Sequence, residues 1–231
     1  MGRDRSCRQL AELSGLGEGA LVLDLGCGIG GPARVLSHEW KFRMVGIDLV
    51  DDFIATAVAL TELVRLSERI DFLQSEATRL PFASKTFDGA VLQHTTVNIP
   101  DKFPLLTEVA RVLRTNGILV MHDWLRGVGP DPVYPMPWSK DGSLSYLLDK
   151  PEFAAVARKT GFEIVVFNDM VESYIPRLEG QIKDARQEQG RIVNQEKLTE
   201  LVSYEESLER FRTNLIEKRL VCYMAKLRKT G

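Results

Sequence analysis

Cysteine is scarce in this 231-residue chain. Cys7, Cys27 and Cys222 are odd in number, far apart and without a CxxC pair. That spacing argues against a disulfide framework or a zinc site and suits a reducing cytoplasm. An excess of charge of one sign is also lacking. The 30 Lys and Arg residues face 32 Asp and Glu, a formal net charge of -2, so no global basic field exists for nucleic acid or anionic lipid. No apolar run reaches the ~18–20 residues that a bilayer crossing requires. Met1 to Arg8 carry charge with no apolar stretch behind them, unlike a secretory signal. Internal repeats and low-complexity tracts are absent. What remains, 44% hydrophobic and 27% charged residues, is the composition of a folded globular chain.

Short apolar runs alternate with amphipathic stretches, the pattern of a mostly parallel sheet covered by helices. Strands are expected at Ala20–Leu25, Phe42–Asp48, Ile70–Gln74, Phe87–Leu92, Gly117–His122, Phe162–Phe167 and Leu220–Leu227. Several are apolar on consecutive positions, as for strands buried on both faces. Helices are expected over about Cys7–Leu13, Pro32–Glu39, Asp51–Leu66, Asp101–Leu113 and Lys150–Thr160. Asp149-Lys150-Pro151-Glu152 reads as a capping box with Pro in the first turn, and Gly161 as the left-handed residue after the helix. The expected architecture is one doubly wound, seven-stranded α/β domain over residues 1–231, with its core at about 18–168 and 219–228. Two segments break the rhythm. The stretch Trp124–Leu148 holds four of the ten prolines and reads as a long loop. Residues 172–218 form a charged helical insertion, split near Gly190, whose apolar positions Leu198, Leu201, Val202, Leu208, Phe211 and Leu215 recur at helical spacing. Both are expected to cap the substrate side.

The most informative run is Leu21-Val22-Leu23-Asp24-Leu25-Gly26-Cys27-Gly28-Ile29-Gly30-Gly31-Pro32. A buried strand enters a glycine turn that lets the backbone approach a ligand, and a helix N-terminus follows. Gly26, Gly28 and Gly31 also satisfy GxGxxG, so the glycines alone do not separate nucleotide classes. Asp24 does. A carboxylate at the mouth of the turn repels a diphosphate and favours a cationic group such as an ammonium. Asp48 closes the next strand, where a ribose diol is held, and Glu76 follows the third, placed for an adenine amino group beside the Ala77 backbone. A cationic tail, a ribose and an adenine describe S-adenosylmethionine.

The chain resembles the class I (Rossmann-like) S-adenosylmethionine-dependent methyltransferases. VLDLGCGIGG is similar to their first motif, GID to the second-strand acid, EATRLPF to the third motif and FDGAVLQHTTVNIPD to the fourth. VLRTNGILV resembles their turn into strand five, with Thr115-Asn116 where proline is usual. The likeness covers about residues 7–168. GIGGPARVLS, LQHTTVNIPD and YPMPWS point to the small-molecule branch that includes sarcosine/dimethylglycine and sterol methyltransferases. The resemblance implies Asp24, Gly26, Cys27 and Gly28 around the methionine portion, and Asp48 with Leu49 at the ribose. It places Glu76 and Ala77 at adenine, and Leu92 with Gln93 beside the methionine carboxylate and methyl. The product would be S-adenosylhomocysteine. Relatives of this branch usually carry a longer segment before the first strand than the nineteen or so residues here, so a truncated start or a more open site is expected.

Methyl transfer from sulfonium is an in-line displacement in which alignment alone can supply up to about 7–11 kcal/mol. A base is needed only when the acceptor must lose a proton. His94 is the candidate base, or else a polar pocket wall. Asp123, Trp124, Tyr134, Trp138 and Tyr174 are further candidates for the acceptor pocket, as a lid over an apolar or cationic small molecule. His122 reads as a satisfied strand end and His38 as inert. Two rivals stay open: an S-adenosylmethionine-binding regulator or pseudoenzyme without turnover, and an NAD(P)-dependent oxidoreductase, which Asp24 disfavours. Nucleic-acid modification lacks its stacking motif after strand four. A monomer and a homodimer are equally compatible with the sequence.

Overall fold

In the computed structural model, which describes residues 2–191 and 195–231, seven strands form one mixed sheet flanked by helices. The N-terminal helix α1 spans Gly2–Ser14, longer than expected. There follow β1 (Leu21–Leu25), α2 (Gly31–Trp40), β2 (Arg43–Asp48), α3 (Asp51–Leu63), β3 (Ile70–Gln74) and β4 (Phe87–Gln93). Then come α4 (Lys102–Val112), β5 (Leu113–Arg126), α5 (Lys150–Lys159), β6 (Phe162–Asp169), α6 (Val171–Gln189), α7 (Gln195–Ile216) and β7 (Leu220–Lys229). The strand order is β3-β2-β1-β4-β5-β7-β6. Strands β1 to β5 pair in parallel, and β7 lies antiparallel between β5 and β6.

Local chemistry explains the boundaries. The box before α5 is reciprocal: Glu152 N donates to Asp149 Oδ1 and Asp149 N to Glu152 Oε2, each at 2.8 Å. Gly161 follows with φ +83°. The α6–α7 break falls at Gly190. One expectation is corrected. Strand five begins at Leu113 rather than Gly117 and runs to Arg126, so Trp124 is a strand residue paired with Cys222, not the start of a loop. The physical reason is long-range: β7 supplies hydrogen-bonding partners as far as Arg126.

Side-chain alternation along β1 divides the core. Leu23 and Leu25 pack with Leu105, Val109 and Phe153 of α4 and α5. Val22 packs with Leu10 of α1 and Leu36 of α2, and Asp24 shares its parity. A third cluster sits beyond the strand ends, where Leu178 and Ile182 of α6 and Leu208, Phe211 and Leu215 of α7 meet Trp124 and Cys222. The side chain of Leu198 lies outside the described residues. Among those residues, no helix is long and apolar enough to cross a membrane.

Candidate functional site

The site is built where β1, β4 and β5 end side by side. Parallel register sets Asp24 beside Val91 and Gln93 beside His122. The glycine turn after β1 is held on β2: Gly26 N and Cys27 N both donate to Ile47 O, at 2.8 and 2.9 Å. Gly28 N donates to Asp48 Oδ2 at 2.9 Å. Three N–H groups of the turn are thus committed within the protein. Gly26 has φ +70°, and a Cβ there would fall 2.5 Å from the Thr95 side chain. Thr95 in turn donates through Oγ1 to Leu25 O at 3.1 Å, tying the loop after β4 to the turn after β1. Sequence reasoning passed over Thr95 because a lone threonine carries no motif.

Asp24 is buried, and its Oδ2 has no hydrogen-bond partner. Burial, reinforced by the charge of Asp48, pushes its carboxyl up to about 7, against the pull of the Ala33 N–H in the first turn of α2. Burial also raises the Cys27 thiol far above its usual range, so the sulfur is inert. Asp48 accepts from Gly28 N and, through Oδ1, from Val50 N at 3.0 Å, which leaves lone pairs on both oxygens. The exposed Glu76 accepts from Thr78 Oγ1 at 2.5 Å, with Ala77 half-buried beside it. Leu49 is exposed and Leu92 fully buried. These residues suit the cofactor that the resemblance implies. An unpartnered buried carboxylate oxygen matches an ammonium, Asp48 can still accept from a diol, and a Cβ at Gly28 would meet nothing within 4 Å.

Beyond β4 the polar groups are tied to one another. Gln93 accepts on Oε1 from Cys7 Sγ of α1 and lies 3.5 Å through Nε2 from His122 Nδ1. His122 Nε2 is 3.3 Å from Cys222 Sγ. With an amide donor on Nδ1, the His122 proton sits on Nε2, and burial together with the charge of Arg177 holds the ring neutral with its pKa lowered to about 4. Asp123 is enclosed rather than open to a pocket. It accepts from the N–H groups of Thr95, Thr96 and Trp124 at 3.0, 2.7 and 2.9 Å, and burial raises its carboxyl to about 6 against those three donors. It shapes the loop that carries His94.

His94 is exposed, with φ +57°. Trp124 Nε1, a donor only, gives its hydrogen to His94 Nδ1 at 3.1 Å. Accepting at Nδ1 places the ring's own proton on Nε2. The rings of His94, Trp124 and Trp138 stack in series, each pair 5.8 Å apart between centroids. Tyr174 and Phe211 meet Trp124 edge-on at 5.0 and 4.7 Å. Trp124 is buried, whereas Trp138, Tyr134 and Tyr174 are half-buried. Tyr134 belongs to the loop whose Val133 backbone pairs twice with the buried Asn214 side chain of α7, at 2.8 Å each way. Phe211 was read only as one of the apolar positions at helical spacing, and Asn214 was not singled out, since it reads as an ordinary helix residue until its partner across the fold is known.

Residues 23–121 match the family model described as a methyltransferase domain. Sterol 24-C-methyltransferase of Saccharomyces cerevisiae is 28% identical over 174 residues, covering 71% of this chain and 44% of that protein. The chain spans less than half the length of the sterol methyltransferases it matches. Among solved structures, phosphoethanolamine N-methyltransferase 2 of Haemonchus contortus superposes with a TM-score of 0.85 at 21% identity, over 100% of this chain and 54% of that one. The cyclase SpnF superposes at 0.81 and 22% identity, over 98% and 81%. Its sheet has the class I, Rossmann-like methyltransferase fold of these structures.

Proposed function

We propose that this protein is an S-adenosylmethionine-dependent methyltransferase acting on a small-molecule acceptor. The observation that carries the reading is Asp24, a buried carboxylate with an unpartnered oxygen beside a glycine turn whose Gly26, Cys27 and Gly28 N–H groups are already used. When bound, the cofactor supplies an activated methyl group on a sulfonium sulfur, with S-adenosylhomocysteine as product. Asp24 binds its ammonium, and Gly26, Cys27 and Gly28 give the turn its shape. Asp48, with Leu49, receives the ribose hydroxyls, and Glu76 with Ala77 receives the adenine. Leu92 and Gln93 border the methionine end, Gln93 being oriented by Cys7 and His122. The stack of His94, Trp124 and Trp138, with Tyr134 and Tyr174, walls the acceptor side and keeps water from it. Three buried cysteines, none of them in a disulfide, fit a cytoplasmic protein.

The cyclase among the structural neighbours keeps a second reading in view, in which the fold binds a ligand without methyl transfer. Calorimetric titration of the whole chain tests the first. S-adenosylhomocysteine is expected to bind saturably, with Asp48→Ala weakening it by about 1–3 kcal/mol through lost charge-assisted hydrogen bonds. Binding of NADH with no response to S-adenosylhomocysteine would overturn the reading. Cofactor binding without methyl transfer to any of a panel of amines, phenols, acids and sterols would favour the second.

A further inference from the structure

The run GIGGPARVLS contains an arginine that the reading above leaves unused. Arg34 lies near the start of α2, half-buried, and it grips the glycine turn at two successive carbonyls. Its backbone N donates to Gly30 O at 3.1 Å, and its Nη1 donates to Ile29 O at 2.8 Å. The same Nη1 also donates, at 3.3 Å, to the hydroxyl of Thr61, a fully buried residue of α3. Burial lowers the guanidinium below its usual pKa, as for a side chain laid down on the protein. Gly30 makes the room. It has φ +75°, and a Cβ there would stand 2.9 Å from Arg34 Nη1 and 2.6 Å from Phe72 Cζ of β3.

The turn is thereby held from two sides. Its near end is tied to β2, where the N–H groups of Gly26 and Cys27 reach Ile47 O and that of Gly28 reaches Asp48. Its far end, at Ile29 and Gly30, is tied by Arg34 to α2 and to α3. Such ties matter because Gly26, Gly28 and Gly30 all have positive φ, and a chain so rich in glycine has many other shapes open to it. A ligand that needs one shape binds with an apparent affinity reduced by the fraction of molecules that hold it. We propose that Arg34 is a positioning residue, which fixes the glycine turn in the shape that receives the amino-acid end of the cofactor. The inference deepens the methyltransferase reading and rests on it for the identity of the ligand. Arg34 acts through the turn. A guanidinium suits that task, since its rigid fork of donors holds a carbonyl and a hydroxyl together, which a flexible ammonium does less well.

The test titrates the full chain by calorimetry with S-adenosylhomocysteine and with 5′-methylthioadenosine, which has the same adenosine and sulfur but no amino-acid end. Arg34→Gln is expected to weaken S-adenosylhomocysteine about 10–100-fold, and methylthioadenosine by no more than about threefold. Arg34→Lys, which keeps the charge and a donor, should show the same selective loss at smaller size. A role in general packing would instead lower both affinities alike. The inference is overturned if S-adenosylhomocysteine binds Arg34→Gln within about twofold of wild type, or if methylthioadenosine is weakened as much as S-adenosylhomocysteine. Should Arg34→Gln lack the near-ultraviolet circular dichroism of the wild type, the same two criteria are applied to Arg34→Lys. A wild-type protein that does not bind S-adenosylhomocysteine would count against the methyltransferase reading itself. That outcome is distinct from a wild type that binds and a variant that binds equally well.

Discussion

A carboxyl group that titrates near neutrality inside a ligand site makes binding a protonation event. Ligand-free Asp24 has its carboxyl raised to about 7, whereas an ammonium held against it stabilises the ionised form. Below pH 7 the proton must leave for the ligand to bind, so affinity for S-adenosylhomocysteine should fall about tenfold per unit as pH drops from 7 toward 5. Calorimetry at pH 6 in buffers of different ionisation enthalpy should read out proton release, and a buffer-independent enthalpy would contradict this. The stability consequence has the opposite sign. A carboxyl whose folded pKa lies above its unfolded value of 3.8 contributes stability that is complete below 3.8 and lost as pH rises through about 7. Asp24→Asn should therefore raise the melting temperature of the ligand-free protein at pH 8, by the equivalent of about 1–4 kcal/mol, while abolishing cofactor binding. A lower melting temperature at pH 8 would show that the buried charge is better compensated than its unpartnered oxygen indicates.

Among the elements, those set by neighbouring residues were legible in the chain and those set by distant ones were not. The glycine turn, the capping box at Asp149 and the left-handed Gly161 after α5 follow from steric and hydrogen-bonding rules that act over a few positions. The extension of β5 through Trp124 depends on β7, about a hundred residues later, and the proton position on His94 depends on an indole thirty residues away. Asp123 looked like a pocket acid because a strand-end carboxylate in this topology faces ligands. Three backbone N–H groups claim it instead. The loop after β5 shows the same dependence on distant partners. Gly127 N donates to Arg219 O at 2.8 Å, and a Cβ at Gly127 would stand 2.0 Å from Lys218 O, a backbone atom that cannot turn aside. Gly127→Ala should therefore cost about 1–3 kcal/mol in urea unfolding and loosen the acceptor wall, leaving S-adenosylhomocysteine affinity nearly unchanged. An unchanged midpoint would mean that the loop and the turn before β7 separate freely.

At the scale of the molecule, all three packed clusters share one strand. Tyr223, Ala225 and Leu227 of β7 belong to the cluster with α4 and α5, Met224 to that with α1 and α2, and Leu220 and Cys222 to the cap. A chain ending at Arg219 should accordingly lose cooperative unfolding and not merely some stability, as checked by coincidence of near- and far-ultraviolet circular dichroism transitions. Retention of a single sharp transition would show that β1 to β5 stand alone. Because β7 is synthesised last of the seven strands yet lies between β5 and β6, a nascent chain presents the open flank of β5 to solvent for as long as translation takes to reach Leu220. During that interval the cofactor half can already be assembled, and a bound nucleoside would act on it as a folding chaperone.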